Sequence, residues 1–186
     1  DAEFVTVING GTIILLQVFV SRIVKDLKPL PTMLGGVAIG ALGFLLLAFA
    51  QNVWLFIAGI AVFSVGEMTA HPKYYSYVGL VAPQDKKAVY MGYAFLYGVF
   101  GSLFGSSLGG ALYGAWLKPL KGTAAGFDAS RKFWLLFVLL DVVAVVGLLL
   151  YNRYFAHDTP EANAKARAIM TGLYGLFFVV GGFFLW

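Results

Sequence analysis

Cysteine is absent from this chain, and only two histidines occur, His71 and His157. Disulfides, thiol chemistry and zinc clusters are thereby excluded, and a metal or redox role has almost no ligands to work with. Charge is scarce as well. Only 12% of residues are Asp, Glu, Lys or Arg, against 60% hydrophobic ones, and soluble domains carry about twice that share of charge. The basic excess, formally +4, is spread among short connections and never forms a run, so nucleic acid is not an expected partner. No phosphate-cradling GxxxxGK[ST], dinucleotide GxGxxG or HExxH pattern is present. No catalytic residues, cofactors or metal ligands are assigned, and the chain is read as no enzyme.

What fills the sequence instead is a series of long apolar runs. A bilayer crossing takes roughly 20 residues, and 186 residues leave room for five or six crossings and little else. The first run, FVTVINGGTIILLQVFVSRIV at 4–24, precedes KDLKPLP, whose charges and two prolines are expected to end it. The second, at 32–50, stops at Gln51 and Asn52. The third runs from Val53 to Val81, the fourth from Ala88 to Leu117, and the fifth from Phe133 to Tyr151. KPLKGTAAGFDASRK between the last two reads as a polar loop. After Tyr151 the segment NRYFAHDTPEANAKARA is polar enough to leave the bilayer, and 156–186 reads as a cytoplasmic linker and an additional terminal membrane helix, IMTGLYGLFFVVGGFFLW. The runs are continuous, not alternating, which favours an all-α bundle over a barrel. The chain starts at Asp1, and DAEF lacks the basic start and cleavage site of a signal peptide, so a start inside a longer polypeptide is expected.

Lysine and arginine favour the cytoplasmic side of a membrane. One side collects Arg22, Lys25, Lys28, Lys86, Lys87, Arg153, Lys165 and Arg167. The other has Lys118, Lys121, Arg131 and Lys132. This bias puts the KDLKPLP and APQDKK turns inside.

Against that apolar background GEMTAHPKYYSYVGLVAP, 66–83, is conspicuous. Glu67 is the midpoint of the third run, about 21 Å from either end at 1.5 Å per residue, which is the bilayer centre. An acid there costs a few kcal/mol and usually faces a bundle interior or a water-filled path. His71, Tyr74 and Tyr75 follow at i+4, i+7 and i+8, making one polar stripe with it. Pro72 is expected to kink the helix and free a carbonyl near the stripe. The stripe reads as a substrate and proton pathway; the plainer reading locks Glu67 to one buried partner. Asp141, midway along the fifth run, is either a proton site or a packing pair. Asn9 is cheaper to bury and can simply bridge helices. Lys73 is assigned a structural role, snorkelling toward the inner interface. Gly101, Gly105 and Gly109 in the fourth run present a small face for close packing, and Gly36, Gly40 and Gly43 repeat it more weakly in the second. Trp54, Trp116, Trp134 and Trp186 lie near run ends, like interfacial anchors.

The stretch GEMTAHP, KYYSYVGLVAP and MGYAFLYGVFG resembles the tenth helix, cytoplasmic turn and eleventh helix of the major facilitator superfamily, in particular its proton-coupled oligopeptide transporters. VINGGTIILLQ is similar to their eighth helix, with Gly10 where they tend to have proline and Ala94 where they have tryptophan. Drug-proton antiporters share a comparable pattern. The resemblance implies that residues 1–155 are helices eight to twelve of the C-terminal bundle. Glu67 would match the glutamate that contacts a peptide amino group and pairs with the N-terminal bundle, and Asn9 a pocket asparagine.

The expected function is therefore part of a proton-coupled secondary transporter, a symporter of a peptide-like or drug-like solute by alternating access. Its expected partners are the lipid bilayer, the N-terminal bundle or other membrane subunits, a small solute and protons. Its expected place is the bacterial inner membrane, as a multi-pass protein. The alternative is a transporter-derived structural subunit of a larger membrane complex.

Overall fold

The computed structural model describes residues 2–154, so the linker and terminal helix expected at 156–186, with His157 and Trp186, lie outside the described residues. Among the described residues five helices are long and apolar enough to cross a membrane. These are α1 (Ala2–Val24), α2 (Pro29–Ala48), α3 (Val53–Val81), α4 (Lys87–Leu112) and α5 (Ala124–Tyr154). A short 3-10 turn, Gln84–Lys86, precedes α4, and a π turn, Tyr113–Leu117, followed by a 3-10 turn, Lys118–Leu120, extends it. No strand occurs among the described residues. The fold class is all-α and polytopic.

Local chemistry sets these limits, in two places differently from the sequence reading. The prolines expected to end α1 instead begin α2, with Pro29 as its first residue. Proline lacks the N–H that a first helical turn leaves unused, and its fixed φ suits that position. The supposed loop 124–132 is the first part of α5. Gly122, at φ +82°, turns the chain, and the Thr123 hydroxyl accepts the Gly126 N–H at 3.2 Å, an N-cap for a helix that opens on two alanines. Asn52 caps α3 in the same way, accepting the Leu55 N–H at 2.8 Å. Pro72 lies inside α3, which continues unbroken to Val81.

Helices in lipid gain nothing from the hydrophobic effect on meeting one another, so close van der Waals fit decides which of them pack. The tightest pair is α2 with α3, then α2 with α5 and α1 with α3. A Cβ on Gly66 would stand 2.5 Å from the Gly40 nitrogen and 2.6 Å from the Gly36 oxygen. One on Gly43 would stand 2.6 Å from the Phe63 nitrogen, and one on Gly36 2.6 Å from that of Ala70. The glycine face expected to be the weaker one is thus the face in use. At Gly101, Gly105 and Gly109 nothing lies within 4 Å, so the small face of α4 has no packing partner among the described residues.

Ile39, Val62, Val65 and Met68 form the core between α2 and α3, with Ile13 and Val20 of α1 packed on it. Phe44 of α2 meets Trp134 and Phe137 of α5 at 5.9 and 5.4 Å. Trp134 therefore helps to join two helices instead of serving only as an anchor, whereas Trp54 is exposed at the start of α3. Arg131 lies over the Phe49 ring at 5.0 Å, holding the start of α5 to the end of α2.

Candidate functional site

Gly66 is buried in the α2–α3 crossing, and the next residue, Glu67, lies about 100° further round α3. Glu67 is exposed, and its Oε2 accepts from Asn9 Nδ2 of α1 at 3.4 Å. Ser64, fully buried one turn before it, donates to Asn9 Oδ1 at 2.5 Å and to its own Ile60 carbonyl at 2.8 Å. A hydroxyl has one proton, so these two acceptors share it. Asn9 thus bridges α1 and α3 and contacts the mid-span acid with the same amide.

Further along the stripe, His71 Nδ1 and the Tyr97 hydroxyl of α4 are hydrogen-bonded. The His71 ring stands edge-on to Tyr75 at 5.1 Å, and Tyr75 meets Phe95 at 5.0 Å. Tyr74 packs against Tyr97 at 4.6 Å and donates to the Ala94 carbonyl at 3.3 Å. Ala94 is the buried residue at which α4 meets this ring cluster. His71, four residues after Glu67 and so on the same face of α3, links the acid's side of the helix to the rings.

Of the sequence-assigned pathway residues, Asn9 and Glu67 are in direct contact, and His71, Tyr74 and Tyr75 form one aromatic group beside them. Asp141 is not part of this group. It sits half-buried between α2 and α5, its Oδ2 3.6 Å from where a Gly40 Cβ would be, and it has no hydrogen bond or ion pair among the described residues. Lys73 reaches toward the turn after α1, the direction expected of it, but stays buried. It is 6% exposed, and its Nζ donates to the carbonyls of Lys25 at 3.1 Å and Leu27 at 2.7 Å. The ammonium therefore caps the carbonyl end of α1 and the turn after it, where unpaired C=O groups are otherwise left over.

Three participants escaped the sequence reading. Ser64 is three residues before Glu67, and an upstream search at helical spacing finds it. Phe95 and Tyr97 belong to an aromatic-rich helix in which no pattern marks them out. GSSLG at 105–109 spells the GxSxG of hydrolase elbows, but it lies within α4, and the Ser107 hydroxyl is given to the Leu103 carbonyl at 2.7 Å. That motif needs a sharp strand-to-helix turn to present its serine. A groove of 820 Å³ between Trp116 and α5 is lined chiefly by Ala and Leu. It contains none of the stripe residues. Among the described residues no group of three or more His, Asp or Glu could hold a metal ion.

The sequence profile of the Major Facilitator Superfamily matches residues 1–186. The chain belongs to the major facilitator superfamily. It is 26% identical over 163 residues to an uncharacterized MFS-type transporter, YttB, of Bacillus subtilis (strain 168), a match covering 86% of this chain and 37% of that protein. The chain thus spans little more than a third of that major facilitator relative. No solved structure matches it. Membership of this superfamily makes the five helices those of an integral, multi-pass membrane protein.

Proposed function

We propose that residues 1–155 are the C-terminal bundle of a proton-coupled secondary transporter, and that α1, α3 and α4 line one wall of its solute path. The remaining helices would come from an N-terminal bundle of the same polypeptide or from other membrane subunits. The observation that carries this reading is an exposed carboxylate at the middle of α3 with a reversible amide as its partner. An intramembrane acid costs about 2.5–3.5 kcal/mol even on insertion scales, which is high for a helix lock built on one long hydrogen bond.

Ionised Glu67 accepts from Asn9 Nδ2. Once protonated it needs an acceptor, and rotation of the Asn9 amide turns Oδ1 toward it while Nδ2 turns to Ser64. The Ser64 proton then goes to the Ile60 carbonyl alone. Each protonation state thus has its own complete hydrogen-bond set. Asp141, on the far side of α2, is a second protonation site in this proposal. The solute is peptide-like or drug-like and moves by alternating access, and the bacterial inner membrane is the proposed location, in keeping with the Bacillus relative.

The test is proton-driven flux of the full-length polypeptide in proteoliposomes, wild type against Glu67→Gln. Loss of the imposed-gradient response is expected. Unchanged rate and pH dependence would refute the role of Glu67 and leave a scaffold subunit as the better reading.

A further inference from the structure

We propose that the groove between the end of α4 and the first part of α5 binds one phospholipid whose headgroup carries a primary ammonium, with Asp128 taking the ammonium and Lys132 the phosphate. This goes beyond the transporter reading above and would hold equally for a scaffold subunit.

The groove has the length of a single leaflet. Its 820 Å³ falls within the roughly 300–1,000 Å³ of ligand sites. One wall is the π turn after α4, with Trp116, and the other is a face of α5 that presents Asp128, Lys132, Leu135, Leu136 and Leu139. These five recur at helical spacing. From Asp128 to Leu139 the helix rises about 16 Å at 1.5 Å per residue, about half of the roughly 30 Å of hydrocarbon in a bilayer. A membrane-crossing helix would need a face twice as long, so the groove suits a lipid better than a partner helix.

Polarity changes once along it. Lys132 is the last charged residue before the apolar run that begins at Phe133, which sets it at the headgroup boundary. Trp116, 43% exposed on the opposite wall, is the kind of ring that sits at that level. The three leucines lie on the bilayer side of Lys132, and Asp128 lies one turn on the water side. Asp128 and Lys132 are both exposed. Neither side chain has a hydrogen bond or ion pair among the described residues, although an acid four residues before a base is the favourable order for a helical pair. Arg131, between them and Phe133, is turned to the Phe49 ring and does not compete. Two opposite charges therefore stand open to a ligand that has both signs.

A phospholipid offers those signs in the same order. Outward from its acyl chains an ethanolamine headgroup has the phosphate first and the ammonium two carbons later. Outward along α5 come the leucines, then Lys132, then Asp128, about 6 Å of rise further on. An anionic headgroup without an amine would set its charge beside an unpaired Asp128. A choline headgroup has no N–H to donate to that carboxylate, whereas a primary ammonium has three. The combination selects the primary amine.

The probes are dioleoyl phosphatidylethanolamine, phosphatidylcholine and phosphatidylglycerol, which share acyl chains and differ in headgroup. Adducts on the detergent-solubilised full-length polypeptide are followed by native mass spectrometry over a lipid titration. One ethanolamine-lipid adduct should saturate at roughly 10-fold lower concentration than the first adduct of either other lipid, a tenfold change being about 1.4 kcal/mol. Asp128→Asn should abolish the preference over the choline lipid, and Lys132→Gln should weaken ethanolamine-lipid binding by roughly 10-fold, near the low end for a charged hydrogen bond. The exchange of Asp128→Lys with Lys132→Asp keeps the net charge and reverses the order, and it should bind as weakly as the single variants. If the exchange variant does not fold, the two single variants decide. Equal binding of the three lipids, as expected if another helix of the polypeptide fills the groove, overturns the inference. So does an ethanolamine preference that survives both single variants or the exchange, and so does a phosphatidylglycerol preference lost in Lys132→Gln, which would assign the groove to an anionic lipid.

Discussion

Replacing Gly66 by alanine should loosen the α2–α3 crossing and, through it, the Glu67 site. The added methyl would lie 2.5 Å from the Gly40 nitrogen, 2.6 Å from the Gly36 oxygen and 2.9 Å from the Gly40 Cα. Optimal non-bonded separations are about 3.5 Å or more, so the helices must part by about 1 Å. The obstructing atoms are backbone and cannot rotate aside. Overpacking of this kind typically costs about 1–3 kcal/mol, and the helix-propensity gain from glycine to alanine returns at most about 1 kcal/mol. With the full offset the clash still costs up to about 2 kcal/mol. Movement of α3 also stretches the contacts of Asn9 with Ser64 and Glu67, now 2.5 and 3.4 Å, and the longer one has no slack. Gly40→Ala is the internal control. It lies in the same crossing, but its methyl would meet only Asp141 Oδ2 at 3.6 Å and a Phe63 ring carbon at 3.8 Å, ordinary contacts. Thermal unfolding of the detergent-solubilised full-length polypeptide, followed by size-exclusion fluorescence, should show Gly66→Ala melting several degrees lower, at roughly 2–4 °C per kcal/mol. Gly40→Ala should melt at or slightly above the wild type. If Gly66→Ala is as stable as Gly40→Ala, the close glycine contact is not what joins these helices.

Two further outcomes follow from the same geometry. Lys73→Met removes both hydrogen bonds to the end of α1 and should cost about 2 kcal/mol, the usual worth of a charged hydrogen bond; hydrogen exchange at the amides of Leu27, Lys28, Leu30 and Thr32 should quicken, and unchanged protection there would dismiss the cap. Asn9→Leu leaves Ser64 to its own helix and Glu67 without its amide, so it should weaken the α1–α3 association by about 0.6–1.7 kcal/mol, the span of interhelical hydrogen bonds in membranes. Disulfide trapping between cysteines placed on α1 and α3 would report that loss, and trapping at the wild-type rate would contradict it.

The spans were legible because each is a continuous apolar run with local punctuation. Asn52 and the Ala82–Pro83 pair bound α3 at the limits read from sequence. The start of α5 was obscured because Asp128, Arg131 and Lys132 suggest solvent, and solvent suggests a loop; a helix that extends past the apolar zone can carry charge without ending. Glycine spacing marked two small faces but not which one has a neighbour, since a spacing does not name its partner. The resemblance in GEMTAHP pointed to the superfamily, and Glu67 with Asn9 emerged as a contacting pair. Tyr97 and Phe95 were invisible for a different reason. Their importance lies in what stands opposite them, and only the tertiary arrangement supplies that. Lys73 was read as structural, but its destination depended on the turn between α1 and α2 folding back beneath it.

The bridge from Asn9 to Ser64 joins residues 55 positions apart, and this bears on how the chain is made. At roughly 5–20 residues per second, Asn9 is synthesised roughly 3 to 11 s before the hydroxyl that donates to it. The Lys73 cap closes a similar interval after the carbonyls it serves. During biosynthesis α1 therefore enters the membrane with a polar side chain and an uncapped end, while α2 and α3, adjacent in sequence and matched by their glycines, can pair as soon as both have emerged. Among the described helices, that hairpin can form before α1 docks onto it.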